Sequence, residues 1–233
     1  MINYAHRGAS QYAPENTMAS FCMGLEMGAN GIETDVQRTR DGVLVLCHDA
    51  TLKRTAGVDA AVKNLTWAEL ARLDVGSFKH PRYAGERVVR LEDFLYYFGG
   101  KPLRFAIEIK QPGVELDTLA MLRRYLADDR FTITSFMLDS LLVCAKASPK
   151  PRLGYLAREF SEALLDKLQD EGIEEYCPDA AWLTEEMAEA VRRRGMSLRA
   201  WGVRNQELMR RMVELKVDGM TVNFPDKLAA LLP

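Results

Sequence analysis

Short runs rich in β-branched and aromatic residues alternate along this chain with segments whose apolar positions recur at helical spacing. The runs cover Ile2–His6, Gly31–Val36, Phe105–Lys110, Phe131–Phe136, Arg152–Leu156, Glu175–Pro178, Ser197–Val203 and Gly219–Asn223. Each is followed by a helix-period segment: Glu15–Met27, Leu91–Phe98, Leu116–Ala127, Leu138–Ala147, Ser161–Gln169, Glu185–Arg194, Gln206–Leu215 and Asp226–Leu232. Gly or Pro marks many of the joints, as at Gly172 and Gly195, where the chain must stop one element and turn. Strand–helix alternation sustained from end to end predicts a parallel sheet.

One further β-prone run, Val43–Cys47, decides the topology. Only a few residues around Asp41–Gly42 separate it from the preceding strand. Parallel neighbours need a crossover of about a dozen residues or more, whereas a short Asp-Gly turn makes an antiparallel hairpin. Val43–Cys47 therefore reads as a returning arm on the second strand. Eight βα units remain, the number that closes an α/β (β/α)8 TIM barrel. The whole chain, 1–233, is expected to be one such domain. Residues 49–90 exceed an ordinary βα loop by far, and carry their own helix signal, the capping-box pattern Thr66-x-x-Glu69. They are expected to form a small insertion subdomain on the C-terminal face of the barrel.

Composition adds limits. At 48% hydrophobic and 27% charged residues the chain is that of an ordinary globular protein, not a disordered one. Thirty-one basic and 33 acidic residues leave a net charge of -2, and basic clusters such as Arg192–Arg193–Arg194 sit in helix-like segments, so no nucleic-acid partner is expected. Cys22, Cys47, Cys144 and Cys177 show neither CxxC pairing nor zinc-like spacing, and read as reduced thiols. The start, MINYAHRG, resembles no secretory signal, and no apolar run is long enough to span a bilayer. A cytoplasmic protein without stable membrane insertion is expected; the pattern leaves its oligomeric state open, a homodimer included.

The candidate chemistry comes from polar residues in the wrong place for a core. Side chains two apart on a strand share a face, so Glu33 and Asp35 point together, and so do Glu108 and Lys110. Near the C-terminal ends of barrel strands they meet at the mouth, where such enzymes keep their sites. Three converging carboxylates repel one another and require a cation or protons. An all-oxygen donor set suits a hard divalent ion, Mg2+ or Ca2+. The alternative is that Glu33, Asp35 and Glu108 are structural partners of Arg7 and Lys110. Two of the three histidines, His6 and His48, fall at strand ends beside these carboxylates, where a base and an acid could work near neutral pH. Arg7 and Lys110 are suited to a phosphate, the first by its planar fork and the second as a point charge. Together these groups describe a centre for cleaving an anionic phosphodiester.

At this point the segments AHRGASQYAPENTMASF, IETDVQRTRDGVLVLCHDATLKRT, LTWAELARLDVG, LEDFL, FAIEIKQP, ITSF and AWGV resemble, in order, those of glycerophosphodiester phosphodiesterases. The resemblance runs from residue 4 to about residue 228. It implies a metal-dependent hydrolase that converts small-molecule glycerophosphodiesters to sn-glycerol 3-phosphate and an alcohol. It places the catalytic pair on His6 and His48 and the metal carboxylates on Glu33, Asp35 and Glu108. Substrate contacts fall on Arg7, Lys110 and Trp201, the last beside the glycerol moiety. Glu15 and Asn16 support the first histidine loop, and the segment after Asp49 corresponds to the family's small subdomain. Two departures stand out. Gly202-Val203-Arg204-Asn205 follows Trp201 where the family has Thr-Val-Asn, and the last strand ends Thr221-Val222-Asn223 where the family has Thr-Asp before Pro. Both are expected to lie against the outer part of the substrate. A lysophospholipase D-like activity, with Phe78 and Tyr83 touching an acyl chain, and a silent phosphate-binding barrel are the alternatives.

Overall fold

The computed structural model describes residues 1–232. Its strands are β1 (Ile2–His6), β2 (Gly31–Arg38), β3 (Leu44–Leu46), β4 (Arg104–Ile109), β5 (Phe131–Ser135), β6 (Leu153–Ala157), β7 (Glu175–Pro178), β8 (Ser197–Val203) and β9 (Gly219–Val222). Eight of them are parallel neighbours in the order β1-β9-β8-β7-β6-β5-β4-β2, and pairing of β1 with β2 closes the ring. This is a TIM barrel. The remaining strand, β3, runs antiparallel on β2, opposing Leu46 to Val36 and Leu44 to Arg38. The short turn at Asp41–Gly42 is the reason: its Gly42 amide donates back to the Thr39 carbonyl, which leaves no length for a crossover.

Helices α1 (Met18–Glu26), α2 (Leu91–Phe98), α3 (Glu115–Tyr125), α4 (Leu138–Ala145), α5 (Glu162–Asp170), α6 (Glu185–Arg193), α7 (Gln206–Glu214) and α8 (Pro225–Ala229) follow the barrel strands in turn. Ser161, Thr184 and Asn205 cap α5, α6 and α7 by accepting a backbone N–H into the side chain, as short polar residues do where the helix's own acceptors run out. Several boundaries differ by one to three residues, and one of them is informative. Helix α1 starts at Met18 rather than at Glu15, because Asn16 has φ 56° and Thr17 is the cap. Glu15 and Asn16 are thereby freed from the helix and turned towards the barrel mouth.

Between barrel and helices lies the main apolar core. Its densest part is aromatic: Phe94 of α2 meets Phe21 of α1 at 4.8 Å between ring centroids, Phe98 at 5.1 Å and Phe105 of β4 at 5.8 Å. Inside the barrel the filling is mixed. Arg199 of β8 is 1% exposed and donates to Glu175 at 3.0 Å and to Thr221 at 2.7 Å, with its guanidinium over the Tyr4 ring. Both partners are needed, since a buried guanidinium without acceptors is prohibitive.

The segment between β3 and α2 shares with Val45 of β3 a separate apolar cluster of Cys47, Leu52, Val62, Leu70, Val75 and Val88. Its one-turn helix Trp67–Leu70 is held by the Thr66–Glu69 capping box. Lys79 and Tyr83 tie it to the loop after β1 by donating to the carbonyls of Ser10 (2.7 Å) and Tyr12 (2.9 Å). All four cysteines are free thiols. No helix among the described residues is long and apolar enough to cross a membrane.

The aromatic cluster joins two helices to the barrel wall, so Phe94→Ala should leave a cavity there and cost about 3–5 kcal/mol. Urea unfolding followed by circular dichroism measures this; a loss near zero would mean that the cluster collapses freely around the gap.

Candidate active site

The mouth of the barrel is organised by the turn that follows β1. At Arg7 the backbone takes φ 55°, and at Gly8 φ 84°. A side chain at Gly8 would start 2.3 Å from the Ser20 carbonyl carbon, so only glycine lets the turn lie flat on α1. Arg7 carries real strain, held in place by its amide donating to the Glu33 carbonyl (2.8 Å) and its carbonyl accepting from Asn16 N–H (3.0 Å) and Ser20 Oγ (2.8 Å). The result aims the Arg7 guanidinium across the mouth. It forms ion pairs with Asp35 and Glu15, each at 3.0 Å.

Glu33 and Asp35 leave β2 on the same side, and the β2–β4 register sets Glu108 beside Asp35. Oxygen atoms of the three carboxylates lie within 4.8 Å of one another, all buried. Lys110, one residue past the end of β4, pairs with Glu108 at 2.9 Å and reaches Asp35 at 3.9 Å. Asn16 fixes Asp35 further, donating to it at 3.0 Å while accepting the Thr34 hydroxyl at 2.7 Å. Two cations thus face three acids. Glu33 Oε2 and Asp35 Oδ1 remain buried without a hydrogen-bond partner.

Electrostatics follow from that shortfall. Burial, and then the charge of Asp35, pushes the Glu33 carboxyl well above its ordinary range and the Glu108 carboxyl up to about 7. Asp35 is buried just as deeply, yet Arg7 foremost holds it down at about 2. One acid of the three is firmly ionised and the other two resist ionisation. Buried oxygens that lack a donor, one on the ionised Asp35 and one on Glu33, which resists ionisation, match what a small hard cation would satisfy.

Both histidines line the same cavity, His6 from the end of β1 and His48 from the segment just past β3. His6 Nδ1 is 2.5 Å from Asn223 Oδ1, which leaves Nε2 to face Glu33 at 3.8 Å. Burial, and the neighbouring Arg7, push the His6 pKa down to about 4. His48 Nδ1 is 2.8 Å from Asp49 Oδ1. Asp49 is in turn gripped by Arg54 at 2.7 Å, and Arg54 pairs with Glu15, also at 2.7 Å. The two rings are therefore each oriented by a side-chain oxygen on the nitrogen away from the cavity.

The cavity measures about 470 Å3, ample for a small organic ligand. Arg7, Glu33, Glu108, Lys110 and the histidines form its inner end, and Phe136, Arg158, Trp201 and Arg204 form its outer end. Trp201 is pinned by Nε1 donating to the Cys177 carbonyl at 3.0 Å and by edge contact with Phe136 at 5.3 Å. All eight residues singled out from sequence meet at this mouth. Phe78 and Tyr83 do not line the cavity: Phe78 lies beneath the Arg54 guanidinium, and Tyr83 is engaged with Tyr12.

Sequence reasoning missed three contributors. Asp49 and Arg54 were within reach, since one adjoins His48 and the other follows Asp49 by five residues. Arg158 carried no local signal. The Asn223 departure also differs from expectation: it sits behind His6, 217 residues away in sequence, rather than against the outer part of a ligand.

Comparisons with known proteins agree with the barrel fold. The glycerophosphoryl diester phosphodiesterase family matches residues 6–227. A glycerophosphodiester phosphodiesterase of Caldanaerobacter subterraneus is 35% identical, over 98% of this chain and 96% of its own length. One from Bacillus subtilis is 32% identical, over 97% of this chain and 84% of its own. Among solved structures, an Oleispira antarctica phosphodiesterase in complex with its product sn-glycerol 3-phosphate superposes with a TM-score of 0.90 at 25% identity, covering 97% of this chain and 94% of its own. A glycerophosphodiester phosphodiesterase from Agrobacterium tumefaciens gives 0.87 at 27% identity, covering 97% and 98%. With its barrel and its sequence in agreement, the chain belongs to the glycerophosphoryl diester phosphodiesterase family, a family of hydrolases.

Proposed function

We propose that this protein hydrolyses small glycerophosphodiesters to sn-glycerol 3-phosphate and an alcohol. A divalent cation, Mg2+ or Ca2+, would be held by Glu33, Asp35 and Glu108, with His6 and His48 as the acid–base pair. The observation that carries this reading is the pair of unpartnered buried oxygens on Glu33 and Asp35, in the same cavity as two side-chain-oriented histidines. Residues 49–90, with their own apolar cluster, would act as the roof of this one catalytic domain, since Arg54 orients Asp49 behind His48.

When bound, the cation supplies positive charge against the phosphoryl oxygens and raises the electrophilicity of phosphorus. The chain's own groups do the rest. Arg7 and Lys110 are free to turn part of their hydrogen-bonding capacity to phosphate oxygens, which gather charge as the attacking oxygen approaches. His6 is neutral at pH 7 and holds its Nδ1 proton against Asn223. Its Nε2 can therefore take the proton of the attacking hydroxyl: water gives sn-glycerol 3-phosphate directly, whereas the substrate's own 2-hydroxyl gives a cyclic phosphate that water must then open. His48, in its protonated form and with Asp49 on Nδ1, donates from Nε2 to the departing alkoxide as the P–O bond breaks. Trp201 offers an apolar wall for the glycerol carbons.

His6→Ala and His48→Ala should each lower sn-glycerol 3-phosphate release by about 10²–10⁴-fold with far-UV circular dichroism unchanged. Activity within a few-fold of the parent would remove that histidine from the chemistry. A chelator should abolish turnover, and Mg2+ or Ca2+ should restore it.

The carboxylates also set a pH dependence of stability in chelator-treated protein. Between the ordinary value of 4.5 and about 7, native Glu108 keeps a proton that the unfolded chain has released, so stability falls as pH rises through that window. Glu108→Gln should therefore be more stable than the parent at pH 8, by on the order of 1–3 kcal/mol, with the difference gone at pH 5. Thermal unfolding at the two pH values tests this. Saturating Mg2+ or Ca2+ should reverse the order at pH 8, because only the parent keeps all three ligands.

A further inference from the structure

The outer end of the cavity carries charge that the cleavage reaction does not use. Strand β8 loses register with β9 between Ala200 and Val203. At Gly202, within this bulge, φ is 67°, and a side chain would begin 2.8 Å from the Asp179 carboxylate. The bulge and the missing side chain together let Asp179 stand close behind the strand. Asp179 is 7% exposed and accepts from the Ala181 amide at 2.8 Å. Its second oxygen takes the Arg204 guanidinium, also at 2.8 Å, which fixes Arg204 on the cavity wall. Arg204, though 63% exposed, is thus directed along the wall by this one ion pair.

Arg158 comes to the same wall from the end of β6. Its guanidinium lies over the Phe136 ring, 4.5 Å from the centroid, and among the described residues it makes no ion pair. The carboxylates that line the cavity, Glu33 and Glu108, lie at its inner end, and Asp179, behind the outer wall, is already paired with Arg204. The outer end is therefore net positive, through an unpaired guanidinium stacked on an aromatic platform.

We propose that this outer end is a subsite for the leaving alcohol, and that Arg158 and Arg204 favour alcohols carrying an anionic group, a phosphate or a carboxylate. The inference rests on the phosphodiesterase reading above and names the substrate class for it. Guanidinium groups match both anions by paired N–H donors. A quaternary ammonium headgroup is opposed on two counts. It requires a bare aromatic face, and the Phe136 ring carries the Arg158 guanidinium over it and packs nearly perpendicular to Trp201. It would also be repelled by the unpaired Arg158 guanidinium.

The test uses matched substrates and the full chain. Release of sn-glycerol 3-phosphate is compared between glycerophosphoinositol 4-phosphate and glycerophosphoinositol, and between glycerophosphoglycerate and glycerophosphoglycerol, with glycerophosphocholine as the cationic case. Contacts of partly exposed charges are modest, so kcat/KM should favour each anionic member by about fivefold to tenfold at low salt. That preference should shrink at high salt. In Arg158→Ala, and further in Arg158→Ala combined with Arg204→Ala, the ratio within each pair should fall to about one. Equal kcat/KM for all five diesters in the parent, or a ratio unmoved by both variants, overturns the subsite while leaving the phosphodiesterase reading intact. Release from none of the five overturns that reading and the subsite with it.

Discussion

Everything at the mouth of this barrel answers to one imbalance: three buried carboxylates, Glu33, Asp35 and Glu108, faced by only two cations, Arg7 and Lys110. A protein interior tolerates such a group only where partners or protons restore the balance. The partners here are distributed unequally. Asp35 takes Arg7, Asn16 and part of Lys110, and stays ionised, while Glu33 and Glu108 are left to resist their charge. The strained Arg7 backbone makes sense in this light, because a relaxed turn would carry the guanidinium away from Asp35. Backbone strain of this kind persists only where surrounding contacts over-determine it, and three hydrogen bonds at Arg7 do so.

From Arg7 the compensation spreads outward as one chain of ion pairs. Arg7 joins Glu15, Glu15 joins Arg54, Arg54 joins Asp49, and Asp49 holds His48. This run links β1, the loop before α1, the segment after β3 and the histidine in a single network. Exposed ion pairs taken singly contribute little, but here each member also orients the next. The network accounts for why His48 can sit past the end of a three-residue strand and still have a defined ring orientation. It also couples the 49–90 segment to the barrel, since Arg54 belongs to that segment and Glu15 does not.

Much of this was legible in the sequence because the signals were local. Period-two spacing put Glu33 with Asp35 and Glu108 with Lys110, and the short Asp41–Gly42 turn set β3 apart from the eight barrel strands. What escaped reading depends on closure. Asn223 meets His6 only because β9 pairs with β1 across the chain's two ends, and nothing near either residue announces the contact. Arg158 reaches the cavity only once β6 has been placed in the ring. Arg199 looked like an ordinary strand residue and proves to be a wholly buried cation, neutralised by Glu175 two positions below the Cys177 that Trp201 uses as its anchor. Long-range pairs of this kind have no periodicity of their own.

The same contrast explains the two departures from the family pattern. Both fall at the C-terminal ends of barrel strands, but they act at different depths. Asn223 presents its side-chain oxygen to the inner histidine, so the residue beyond β9 tunes the orientation and charge state of His6 without touching the cavity's outer end. The Gly202 bulge acts in the opposite direction. By removing a side chain beside Asp179 it draws that carboxylate inward, and so fixes an arginine outward. Strand ends in this architecture are where backbone irregularity is tolerated and where side chains converge. A change of one residue there re-aims a neighbour several ångströms away, while the pairing that holds the barrel together is left as it was.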